Sequence, residues 1–300
     1  MRKILALSLL FSAVALPAHA ALKVFACEPE WAALSTEIGG KLVNVYAATT
    51  GGQDPHQIQA RPSLIAKARA ADIAVCTGAE LEIAWMPQVV RQSANSKIQP
   101  GADGYFEATS VISLLEAPAA LDRAQGDLHA YGNPHIQTDP RNILIVARAL
   151  AAKFSALDPA NAASYAAGYA DFETRWTAAL KKWEAEAAPL RGVPIAVQHR
   201  SWVYMIQWLG LREIIALEPK PGIPPTSGYL AEVLETLKKQ PVKMIIRAAY
   251  EDPRSSEFIA PRAGAPAVML PFTIGGTEDA KDLFSLYDET IGLMTKAAAQ

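Results

Sequence analysis

Short apolar, β-branched runs recur along this chain, with amphipathic stretches between them. LKVFAC (22–27), VNVYAAT (43–49), IAVCTG (73–78) and a weaker SKIQP (96–100) make a first series. PIAVQH (194–199), REIIAL (212–217), KMIIRAAY (243–250) and PAVMLPF (266–272) repeat the same grammar. Strand-like runs alternating with helix-period segments predict parallel sheets with helices on their faces. The expected fold class is α/β, with two similar lobes, each a parallel sheet flanked by helices.

Between the two series, from about Pro140 to Ala188, the chain turns rich in alanine and other helix formers. Asp139-Pro140 and Asp158-Pro159 each supply an acid to cap a helix and a proline for its first turn. The second pair opens PANAASYAAGYADFETRWTAALKKWEAEAA, where Tyr165, Tyr169, Phe172, Trp176, Leu180 and Trp183 recur at spacings of three and four. Such a stripe marks one helix face, read as core packing in preference to a ligand platform. At the α-helical rise this run spans roughly 45 Å, long enough to join both lobes as one backbone helix. Proline-rich LEPKPGIPPTSG (217–228) reads as a rigid surface loop leading into a further helix. The expected divisions are an N-terminal lobe at 21–139, linker helices including the long one at 140–190, and a C-terminal lobe at 191–300.

The residues ahead of the first strand change the picture of where the protein works. Residues 1–20, MRKILALSLLFSAVALPAHA, join Arg2 and Lys3 to an apolar run and end in small residues with an A-x-A pattern. That is the build of a secretory signal cleaved near Ala20. No cysteine follows the run to carry a lipid, and no later apolar stretch has the roughly 20 residues needed to span a bilayer. A soluble monomer exported to a bacterial periplasm is expected. The roughly 280 residues that remain exceed one usual hydrophobic core and favour two domains. Losing Arg2 and Lys3 takes the net charge from −2 to −4, which gives no support to a nucleic-acid partner. Hydrophobic residues at 51% against 19% charged argue against long disorder. Cys27 and Cys76 end two strand-like runs, and in an oxidising compartment a disulfide is the favoured reading over a metal-binding or redox thiol pair.

Candidate chemistry rests on the histidines. Four lie beyond the leader: His56 after the second strand, His129 and His135 ahead of the linker helices, and His199 at the end of the first C-terminal strand. Open α/β sheets bind ligands at the carboxyl ends of their strands, so all four map to one side and an inter-lobe cleft gathers them. Neutral imidazole is the commonest metal ligand, and three imidazoles in a partly dry cleft suit zinc best.

The chain resembles the periplasmic metal-binding proteins of zinc and manganese ABC importers, the cluster A-I solute-binding family. DPHQIQARPS (54–63), ADIAVCTGAELEIAW (71–85), NPHIQTDPRN (133–142), LDPANAASYAAGYADF (157–172) and QHRSWVYMIQWLGL (198–211) carry the resemblance. It implies that His56, His135 and His199 bind the ion and that a membrane permease receives it. His199 stands where manganese-type relatives usually carry a carboxylate, which favours Zn2+ over Mn2+ as the transported ligand. The resemblance also implies an acid near residue 271, but Pro271 stands there. Candidates for the fourth ligand are Glu30, Glu251 with its neighbour Asp252, and His129, or a water. The long His- and acid-rich loop of many zinc importers is replaced by the short GDLHAYG.

Two other classes compete. A three-histidine zinc with an open position is also a hydrolase arrangement, with Glu30 or Glu251 as base; no G-x-S-x-G, P-loop, H-E-x-x-H or dinucleotide fingerprint supports it. A binder of a metal chelate, or a surface adhesin, would use Trp85, Trp202 and Trp208 as pocket walls, although all three sit in apolar contexts that favour core packing.

Overall fold

β1 (Leu22–Ala26), β2 (Val43–Ala47), β3 (Ile73–Cys76) and β4 (Tyr105–Glu107) pair in parallel in the order β2-β1-β3-β4. β5 (Pro194–Val197), β6 (Arg212–Ala216), β7 (Met244–Ala248) and β8 (Ala267–Leu270) repeat this as β6-β5-β7-β8, again all parallel. The two lobes therefore share one topology, as the two series of apolar runs predict. This is a computed structural model that describes residues 20–118 and 129–300. The leader read at 1–20 lies outside it except for Ala20, as does Asp127 of the GDLHAYG segment.

The first sheet carries α1 (Pro29–Gly39), α2 (Pro62–Ala70) and α3 (Met86–Ser93), and the second α6 (Val203–Leu209), α7 (Ser227–Lys239), α8 (Arg254–Ala263) and α9 (Leu283–Ala298). Between them run α4 (Pro140–Leu157) and α5 (Ala162–Glu186). Asp139 caps α4 by accepting from the Arg141 backbone N–H, and it also binds the Arg141 guanidinium. Asp158 plays a different part from the expected cap. Pro159–Asn161 form a 3-10 turn, and the Asp158 carboxylate accepts from Asn161 Nδ2 and from the Tyr165 hydroxyl. The long helix thus has 25 residues and spans about 37 Å.

Tyr165, Phe172, Trp176 and Trp183 of α5 are fully buried, and Trp176 meets Phe284 and Tyr287 of α9 with centroids 4.9 and 5.5 Å apart. α5 packs against α1 of the first lobe and α9 of the second. One apolar cluster accordingly runs from Leu22 and Trp31 through α5 to Met244 and Tyr287, with a smaller cluster behind each sheet. The expected strand at 96–100 is not one. Ser96–Ile98 is a 3-10 turn whose cap is the Asn95 side chain accepting from Lys97 N–H, and the fourth strand is the three-residue Tyr105–Glu107. Ile98 is apolar because it anchors that turn in the core, and the polar residues beside it obey no sheet alternation. Cys27 and Cys76, just past the end of β1 and at the end of β3, form a disulfide with Cα atoms 4.8 Å apart. Among the described residues no helix is long and apolar enough to cross a membrane.

Gly168 is where α5 comes closest to α1: a Cβ there would lie 2.2 Å from the Ile38 carbonyl oxygen. Gly168→Ala is expected to destabilise by about 1–2 kcal/mol, since forced repacking against backbone outweighs a helix-propensity gain of about 1 kcal/mol. Gly292→Ala in α9, with open space around it, is expected to stabilise by about 0.5–1 kcal/mol. Urea unfolding of both variants checks this; a Gly168→Ala protein as stable as the parent would refute the close contact.

Candidate metal centre

His56 and His135 are held by the same three-residue device. In Asp54-Pro55-His56 the Asp54 Oδ1 accepts from the His56 backbone N–H at 2.9 Å and lies 2.8 Å from the ring Nδ1. In Asn133-Pro134-His135 the Asn133 Oδ1 accepts from the His135 N–H at 3.1 Å and lies 2.8 Å from its Nδ1. A short polar side chain two residues before the histidine thus grips both its backbone and its ring, while the proline between them narrows the backbone choices. The Trp85 indole N–H donates to the Pro55 carbonyl and fixes the first of these loops to the core. Asn133 Nδ2 donates to the Arg200 carbonyl, and the Tyr204 hydroxyl donates to the Asn133 carbonyl, which ties the second loop to the C-terminal lobe.

His199 lies two residues beyond β5 rather than at its last position. Its Nδ1 lies 2.7 Å from Glu218 Oε2, in the proline-rich loop, and the same oxygen accepts from the Gly222 N–H. A carboxylate only accepts, and so does an amide oxygen, so each Nδ1 carries a proton and the neutral ring presents its lone pair at Nε2. His56 Nε2 and His135 Nε2 are buried with no hydrogen-bond partner. One ligand atom from each of His56, His135 and His199 lies within 4.8 Å of the other two. The ring centroids are 5.3, 5.9 and 5.8 Å apart. Zinc–nitrogen bonds of about 2.0–2.1 Å place tetrahedral nitrogens about 3.3 Å apart, so the triad must draw in by up to about 1.5 Å around an ion.

The cluster sits between two cavities. One of about 630 Å³ is lined by Asp54, His56, His199, Glu218, Tyr250 and Glu251; the other, about 350 Å³, by His129, His135 and His199 among others. Burial holds the His135 pKa well below the ordinary histidine value, and the neighbouring imidazoles push it the same way. Burial also works against a charge on His199, yet the Glu218 hydrogen bond and the carboxylates of Glu218, Glu251 and Asp54 carry its pKa above the ordinary value.

The remaining candidates part company. His129 lies beside the cluster, its ring stacked on His56 at 5.4 Å and edge-on to His135 at 6.1 Å, but it is not in the group whose ligand atoms fall within 4.8 Å of one another. Burial pushes its pKa down to about 3. Glu251 lies beside His199 on the first cavity. One of its oxygens accepts from the Ala248 N–H, the other is buried without a partner, and burial raises its pKa to about 7. Glu30 is turned elsewhere: it accepts from the Thr273 hydroxyl across the lobes, near Glu82, and burial raises its pKa to about 7. Asp252 pairs with Arg254, whose hydrogen bonds lower its pKa to about 2. At the position of the missing acid, Pro271 is followed by Phe272, whose ring stands 5.8 Å from His135. Cys27 and Cys76 lie near Glu82, but the disulfide engages both sulfurs. Trp85, Trp202 and Trp208 are buried in the core and offer no open aromatic wall. Sequence reasoning missed Asp54, Asn133 and Glu218. The repeated polar-Pro-His spacing signals the first two, whereas Glu218, 19 residues from His199, has no local signal.

Residues 24–297 match the family model described as "ZnuA: Zinc-uptake complex component A periplasmic". The manganese ABC transporter substrate-binding lipoprotein PsaA of Streptococcus anginosus is 24% identical over 275 residues, covering 89% of this chain and 84% of that protein. The iron ABC transporter substrate-binding lipoprotein MtsA of Streptococcus pyogenes serotype M1 is 24% identical over 259 residues, covering 84% and 80%. Among solved structures, a crystal structure of ZnuA superposes with a TM-score of 0.77 at 24% identity, covering 93% of this chain and 99% of that one. A Cd-bound periplasmic metal-binding protein from Candidatus Liberibacter asiaticus superposes at 0.75 with 15% identity, covering 92% and 99%. These likenesses show the two-lobe fold.

His199 has a raised pKa, so protons compete for its ring from above the ordinary histidine range. Metal affinity is expected to fall as pH drops, beginning above about 6.5. Glu218→Ala is expected to weaken binding about 10–100-fold at neutral pH and to move the onset of acid loss to lower pH. Competition with a chromophoric chelator across pH reads both; an unshifted onset would overturn the role given to Glu218.

Proposed function

This chain belongs to the family of zinc-uptake complex component A proteins, substrate-binding proteins of metal ABC transporters, and on that premise we propose that it captures Zn2+ between its lobes. The observation that carries this reading is the convergence of three histidines, each with Nδ1 tied down, on one point within reach of a single ion. Neutral nitrogen donors suit zinc better than manganese, which prefers oxygen. Relatives named for manganese and iron leave the choice of metal to the donor set. Asp54 and Glu218 behind the rings balance the charge of the ion and raise the basicity of its ligands.

The wider reading is of a protein exported by the signal at 1–20 that works in the periplasm as a monomer and hands its ion to a permease in the inner membrane. Capture needs no bond-making beyond ligation, so the protein acts as a carrier and not as an enzyme. The apolar cluster shared by both lobes and α5 opposes a wide hinge. Loading and release therefore proceed by small tilts and by movement of the loops that bear the histidines.

His56→Ala, His135→Ala and His199→Ala are each expected to weaken zinc binding at least about tenfold, as loss of a ligand removes one of few bonds. Titration calorimetry with zinc, and with manganese as the comparison, measures this. A His135→Ala protein that binds zinc like the parent would sink the site.

A further inference from the structure

Three imidazoles leave a tetrahedral ion one position short. We propose that His129 fills it, so that zinc is held by four imidazoles, and that this fourth nitrogen sets the preference for zinc over manganese. The inference rests on the capture reading above and deepens it.

His129 is the one remaining histidine beyond the leader, and its ring touches two of the three others, stacking on His56 and meeting His135 edge-on. Its Nε2 is buried without a hydrogen-bond partner, the same condition as His56 Nε2 and His135 Nε2. The chain around it is pinned: the Ala130 N–H donates to Glu80 Oε2, the Gly132 N–H to the His129 carbonyl, and the Asn133 N–H to the Leu115 carbonyl. The ring thus stands beside the cluster on the side of the first lobe, and binding would require its Nε2 to swing in further than those of the other three.

The carboxylates nearby are committed to other work. Asp54 and Glu218 hold rings, and Glu30 is bound to Thr273. On the side of the second lobe, Phe272 closes against His135. Among the described residues Glu251 is the one rival, with a single bare oxygen beside His199. A carboxylate ligand in that position brings a hard oxygen that manganese accepts readily, whereas a fourth nitrogen withholds it.

Cobalt(II) as a probe separates these possibilities, because its ligand-field spectrum reports the donor set. In the full-length protein, His129→Ala is expected to change that spectrum and to weaken zinc binding about tenfold, with Glu251→Gln leaving the spectrum as in the parent. His129→Asp is expected to narrow the zinc-over-manganese affinity ratio by about tenfold. Circular dichroism and thermal unfolding establish that each variant folds. A His129→Ala protein with the parent's spectrum, or a Glu251→Gln protein with an altered one, overturns the assignment while the capture reading stands. A parent that binds no cobalt or zinc overturns both.

Discussion

A buried imidazole has two nitrogens to satisfy, and in this protein the fold satisfies one of them. Asp54, Asn133 and Glu218 each take a Nδ1 proton, and the Nε2 atoms of His56 and His135 stay buried and bare. Leaving a polar atom buried and unpaired costs about 1–3 kcal/mol. On the proposed reading an ion would supply the missing partner, which would link metal binding to stability. The Nδ1 bonds also decide the tautomer, and with it the direction of every lone pair in the cleft.

Those bonds hold only if the loops that carry them are fixed, and the core does that. Trp85 grips the carbonyl of Pro55 from within the first lobe, and Tyr204 of the second lobe grips Asn133 of the first. Behind them α5 packs on both lobes through a face of buried aromatics, with Gly168 allowing α1 to come close. Three histidines from separate loops therefore rest on two apolar clusters, Trp85 in the one behind the first sheet and Tyr204 in the one that both lobes share. On the proposed reading this packing would oppose a wide closure, and an ion would require a contraction of the three histidines by up to about 1.5 Å.

The strand order 2-1-3-4, repeated in the second lobe as 6-5-7-8, brings the loops after β1 and β3 and those after β5 and β7 to the switch points of the two sheets. His199 and Glu251 enter the cleft from the second of these. The acids Glu28, Glu30 and Glu82 gather at the first, where burial raises their pKa values. Glu30 therefore faces the other lobe through Thr273 instead of the histidines, a division of labour that a linear reading of acids after strands does not see.

The chain's pattern by itself determined the parallel α/β lobes, the long aromatic helix and the gathering of histidines at strand ends. Those features follow from hydrophobic period and from the rule that ligands meet the carboxyl ends of strands. It misread SKIQP, because a lone buried isoleucine looks the same in a capped turn and in a strand. Only the tertiary structure decided which polar groups stand behind the rings, where Glu30 and Glu251 point, and that His129 lies against His56. Each of those is a contact between segments far apart in the chain, such as His199 with Glu218 or Glu30 with Thr273. Such contacts exist only once the core has set the distance between the loops, and local spacing carries no record of it.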